Sequence, residues 1–155
     1  MQVQSHPASN RPVALITGAS SGIGEALAQV FAQRNHDLVL GARRIDRLTQ
    51  LAEEIEQSSN VRCVVKACDV MQTDDVEALA ELARDTFGRI DVVVANAGYS
   101  AQGRFDQFSE AEIRRQLEVN VMGVVRTIRA TKDDLILTKG RLAIVGCLLY
   151  TSDAA

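Results

Sequence analysis

Residues 17–24 read TGASSGIG, Thr17 to Gly24, and they lie between a short β-branched run, Val13 to Thr17, and a stretch with helical spacing. A strand, a tight turn and a helix in that order form the opening unit of a nucleotide-binding α/β fold. Gly18, Gly22 and Gly24 let the backbone turn sharply, approach a pyrophosphate and pack helix against strand, while free amides and the positive helix end face the phosphates. The candidate contacts are Thr17, Gly18, Ser20, Ser21, Gly22, Ile23 and Gly24. Glycine trios also punctuate ordinary turns, so the weight rests on the strand before and the helix after. No Gly-Lys-Ser/Thr follows, which excludes a Walker A loop.

The same alternation continues outward. Apolar runs at Val13 to Thr17, Asp37 to Ala42, Val61 to Ala67, Asp91 to Asn96 and Arg141 to Val145 read as five strands. Between them, Ile23, Ala26, Leu27, Val30 and Phe31 share one helical face, Leu48, Leu51, Ala52 and Ile55 a second, and Val76, Leu79, Ala80, Ala83 and Phe87 a third. A fourth face runs through Ile113, Leu117, Val121, Val124, Val125 and Ile128. Thr73 and Ser109 precede acidic first turns and are expected as helix N-caps. Right-handed crossovers then predict an α/β fold, a doubly wound parallel sheet of the Rossmann type, with ligand at the carboxyl ends of the strands.

Composition bounds the alternatives. The chain has 155 residues, 46% of them hydrophobic, enough for one core without disulfides or metals. A net charge of -3 gives no electrostatic footprint for nucleic acid or anionic membrane. Cys63, Cys68 and Cys147 form neither a C-x-x-C pair nor a zinc-ligand spacing, so buried thiols in a reducing compartment are expected and no metal. No apolar run reaches the roughly 18 residues that span a bilayer, and the polar start, residues 1–11, has no signal-peptide pattern. The expectation is a soluble, cytoplasmic protein.

At the end of the second strand, folds that prefer NAD carry an acid that accepts from the adenosine ribose. Here the sequence is GARR, and Arg43 and Arg44 offer guanidinium forks to a phosphate instead. NADP is the cofactor this predicts, with NAD less favoured; a solvated arginine pair is the alternative.

Further on, Asn96-Ala97-Gly98 closes the fourth strand and Asn120 falls inside the fourth helix. With the spacing Thr17-Gly18-x-x-x-Gly22-Ile23-Gly24, residues 12–146 resemble the cofactor-binding amino-terminal part of a short-chain dehydrogenase/reductase. The resemblance implies that Asp69 and Val70 flank the adenine ring. It further implies that Asn96, Ala97 and Gly98 line the cofactor, with Thr17 bonded near them, and that Asn120 stands at a helix irregularity and holds a water for proton relay. Family members pass hydride between nicotinamide and a carbonyl or alcohol carbon of a small molecule. They use a serine, a tyrosine and a lysine four residues after the tyrosine. Four residues after Tyr99 stands Gly103, four after Tyr150 stands Ala154, and the serine position falls at Cys147. The resemblance also implies a homo-oligomer at full length. The loop Tyr99 to Phe108 borders the substrate side, while His6 and His36 carry no assigned role.

From Cys147 the family pattern stops. CLLYTSDAA, residues 147–155, can be written in codons that resemble a transposon-end adapter of sequencing libraries, and it is expected to be a processing scar outside the fold. The domain is accordingly expected to be truncated after the fifth strand, with strand order 3-2-1-4-5 and an uncovered edge. Three functions compete: the cofactor-binding part of an NADP-dependent oxidoreductase, inactive alone; a non-catalytic NADP-binding sensor; and a methyltransferase on a similar sheet, which Asn96-Ala97-Gly98 and Asn120 disfavour.

Overall fold

Alternate residues of the first strand, β1 (Val13–Thr17), feed two different cores, as the period of two in an extended chain requires. Ala14 and Ile16 face one side, with Leu38 and Leu40 of β2 (Asp37–Ala42). There they meet Ala28 of α1 (Gly22–Gln33) and Leu48, Leu51 and Ile55 of α2 (Ile45–Ser58). Val13 and Leu15 face the other side, against Val76, Leu79, Ala83 and Phe87 of α3 (Thr73–Phe87). With both faces covered, β1 and β2 are buried along their whole length, which is why their sequences are continuously apolar rather than alternating.

The structure is a computed structural model describing residues 10–101 and 105–146. Its remaining strands are β3 (Cys63–Ala67), β4 (Val92–Ala95) and β5 (Arg141–Ile144), and all neighbours pair in parallel in the order β3-β2-β1-β4-β5. Order and direction match the expectation. The reversal of direction in strand order lies between β1 and β4, so the loops after these two strands flank a natural crevice. Cys147, residues 147–155 and residues 1–9 of the polar tail, His6 among them, lie outside the described residues.

Some expectations shift for local reasons. β3 begins at Cys63 rather than Val61, and the amides of Arg62 and Cys63 donate to the carboxylates of Asp37 and Glu56, each at 2.8 Å. Thr73 is the first residue of α3 rather than its cap; Gln72 takes the cap position without a side-chain bond. Ser109 is a cap as expected and forms a full capping box with Glu112 at the start of α4 (Glu110–Leu117). Its hydrogen bonds hold the Glu112 carboxyl below the ordinary range. The fourth helix is not continuous. A π-helical turn, Glu118–Met122, separates α4 from α5 (Gly123–Thr138).

β5 is one of the two edges of the sheet, and all four of its residues are exposed. Ile144 is 54% exposed, and at the end of α5 Ile136 and Leu137 are 72% and 84% exposed. Apolar side chains beside an unpaired strand edge favour association. The 155-residue chain is expected to bind a hydrophobic dye while folded and to lose most of that signal in a Leu137→Lys, Ile144→Lys double variant. A wild-type chain that stays monomeric and dark in the dye assay would contradict this.

Candidate functional site

The turn after β1 folds tightly against the end of β4. Gly18 has φ +68°, and a Cβ there would sit 2.7 Å from Ala97 Cα. A Cβ on Gly24 would fall 2.4 Å from Gly18 O, so helix α1 starts in direct backbone contact with the strand it leaves. Gly22, φ +59°, faces open space instead: there the requirement is the left-handed backbone alone. The N-cap of α1 is Ser21, and its side chain makes no cap bond. Ser20 and Ser21 turn their hydroxyls to Arg44, accepting from Nη2 at 3.1 and 2.8 Å. The first amides of α1 thus keep their donors and the helix dipole for a ligand.

Beneath this turn the two loops are knotted together by Thr17 and Asn96. Thr17, 1% exposed, accepts at Oγ1 from the amides of Asn96 (3.1 Å) and Ala97 (3.2 Å). Asn96 Nδ2 in turn donates to the carbonyls of Thr17 and Gly18, both at 3.1 Å. A hydroxyl and a carboxamide therefore bond four backbone groups at the point where the two loops meet.

A cavity of about 410 Å3 opens above the knot, at the carboxyl ends of the strands. Its walls bring together most of the sequence-derived candidates: Gly18, Ser20, Ser21 and Ile23 from the first loop, Arg43 and Arg44 from the second. Asp69 and Val70 come from the third, and Asn96, Ala97 and Gly98 from the fourth. Thr17, Gly22, Gly24 and Asn120 are not wall residues. Thr17 and Gly24 lie in the packed layer below. Asn120 sits within the π-turn, and its side chain clasps the main chain of Tyr99: Oδ1 accepts from Tyr99 N and Nδ2 donates to Tyr99 O, each at 2.8 Å.

Sequence reasoning singled out Tyr99 only as the start of a loop on the substrate side, and it missed Cys68, Arg115, Val119, Val145 and Gly146 on the wall. Tyr99 carries the Arg115 guanidinium over its ring at 4.6 Å, a cation–π contact between residues on different elements. Val119 was invisible for the same reason, since only the turn of the chain brings it to the wall. Cys68 is buried beside Asp69, and burial first, then the carboxylates of Asp75 and Asp69, push its thiol up to about 12. At neutral pH it is a protonated packing group rather than a nucleophile. Among the described residues no cluster of His, Cys, Asp and Glu is suited to a metal ion, and no helix is long and apolar enough to cross a membrane.

The family model for short chain dehydrogenases matches residues 12–148. The chain belongs to the short chain dehydrogenase family. It is 41% identical to an uncharacterized oxidoreductase of Staphylococcus saprophyticus over 76% of this chain and 47% of that protein. An alcohol dehydrogenase from the archaeon Thermococcus sibiricus, solved with 5-hydroxy-NADP, is 41% identical with a TM-score of 0.84, covering 87% of this chain and 57% of that one. A short chain dehydrogenase/reductase from Burkholderia phymatum, solved with NAD, is 29% identical with a TM-score of 0.80, covering 88% of this chain and 48% of that one. The chain spans about half the length of the curated relatives it matches.

Within this short chain dehydrogenase domain the Thr17 hydroxyl is expected to matter more than its volume. Thr17→Val keeps the shape but strands two amides, and should lower unfolding stability by about 3 kcal/mol. Thr17→Ser should cost less than about 1 kcal/mol. Urea midpoints of the two variants check this, and equal midpoints would refute it.

Proposed function

We propose that this chain is the cofactor-binding part of an NADP-dependent short-chain oxidoreductase, acting on a small carbonyl or alcohol compound. The observation that carries the reading is the uncapped amino end of α1, whose Ser21 and Ile23 line the same cavity as Arg43 and Arg44. Bare amides and a helix dipole suit a pyrophosphate; paired guanidiniums suit one more phosphate on the ribose. Relatives solved with NADP and with NAD both exist, so the preference is argued from this chain's own arginines. Arg44 is already oriented by Ser20 and Ser21, which lowers the entropy lost when it meets an anion.

Other residues divide the remaining work. Asp69 and Val70 take the adenine end, and Asn96, Ala97 and Gly98 form the floor along which the dinucleotide runs. When bound, the nicotinamide supplies or accepts the hydride. Asn120 fixes the main chain of Tyr99 and serves a water-borne proton relay. The Tyr-x-x-x-Lys pair of the family does not occur in these 155 residues, so the chain is proposed to bind cofactor without turnover and to need the remainder of a complete enzyme, a homo-oligomer. The same absence is what favours the second reading, a non-catalytic NADP sensor; a full-length gene carrying the pair decides for the enzyme.

Cofactor choice tests the reading. The wild-type chain is expected to bind NADP about ten- to hundredfold more tightly than NAD, the worth of a charge-assisted contact discounted for exposure. Arg43→Asp should abolish that preference. Dissociation constants from calorimetry measure it, and an unchanged NADP preference in the variant would overturn the assignment.

A further inference from the structure

Arg126 lies in the first turn of α5 and is not on the cavity wall. Its guanidinium nonetheless joins three elements. Nη1 donates to Val70 O at 3.3 Å, Nε to Thr73 Oγ1 at 3.3 Å, and Nη2 pairs with the Glu118 carboxylate. The side chain is 18% exposed, so these contacts are made largely out of water and are less screened than a surface pair.

The loop it touches is rigid in itself but not self-positioned. Asp69 N donates to Asp75 Oδ2 at 2.9 Å, Met71 N to Asp69 Oδ1 at 3.0 Å, and Gln72 N to Asp69 O at 2.8 Å. These bonds fix the shape of residues 69–72. Cys68 N, bonded to Ala42 O at 3.0 Å, anchors the start of the loop to β2. Towards α5, two contacts set its height. One is steric: at Gly123 a Cβ would stand 2.7 Å from Val70 Cγ2, so the helix backbone rests on the valine. The other is polar, the donation from Arg126 to the Val70 carbonyl.

Glu118, the other end of this bridge, opens the π-turn that contains Asn120, and Asn120 clasps Tyr99 on the facing wall. We infer that Arg126 is a positioning residue: it sets the Val70 wall against the π-turn and thereby controls affinity for the adenine-nucleotide half of the cofactor. This rests on the dinucleotide reading above. A lysine at this position keeps a charge for Glu118 but lacks the planar fork that spans three acceptors.

The test uses the 155-residue protein and two ligands, adenosine 2′,5′-bisphosphate for the adenine half and inorganic pyrophosphate for the glycine turn. Arg126→Met is expected to weaken the bisphosphate about tenfold, the loss of one charge-assisted contact, while pyrophosphate affinity stays within about twofold. Arg126→Lys should fall between Arg126→Met and wild type. Equal weakening of both ligands would mean general destabilisation and would overturn the inference, as would wild-type affinity in Arg126→Met. Should Arg126→Met fail to fold, wild-type affinity in Arg126→Lys has the same consequence. A wild-type chain that takes up neither ligand removes the dinucleotide reading itself, and this inference with it.

Discussion

Two neighbouring parallel strands, β1 and β4, end side by side, and the site depends on how closely the loops leaving them meet. The approach leaves no room for a Cβ at Gly18 or Gly24, so backbone lies directly on backbone. Such contact is affordable only if the polar groups it buries find partners, and Thr17 and Asn96 supply those partners from side chains. The knot holds the start of α1 in place, and with it the direction in which the helix presents its unpaired amides.

Around that fixed point the cavity walls are built by reach rather than by adjacency. Arg44 crosses from the end of β2 to the hydroxyls of Ser20 and Ser21, tying the second loop to the first. Asn120 reaches from the π-turn to Tyr99, and Arg126 from α5 to Val70. A π-turn widens a helix by one residue and turns a side chain out of the regular helical register. Here that places a carboxamide against the main chain of the fourth loop, where a regular helix would carry a packing residue.

What the sequence made legible follows from local physics. Strand and helix periods located all five strands, because burial on both faces of the central ones forces continuous apolar runs. Strand order followed from the doubly wound pattern together with the family resemblance. The glycine turn was legible because left-handed backbone and close contact exclude other residues there. The Ser109 capping box was legible since both of its members lie within four residues. Thr73 misled because its neighbours look like a first turn whether it caps or begins the helix. The contact between Tyr99 and Arg115, and the bridge made by Arg126, could not be read at all. Their partners are distant in sequence, and no short-range pattern records which arginine pairs with which carbonyl or ring.

The account stands or falls on whether the turn from Gly18 to Gly24 receives a dinucleotide diphosphate. Amide chemical shifts of the 155-residue chain, followed through a titration with NADP to about 1 mM, measure this at individual residues. The account predicts that the largest shifts fall on the amides of residues 18–24, with the Arg44 side chain moving alongside them. Saturable binding that leaves those amides unmoved, or no binding at that concentration, would contradict it.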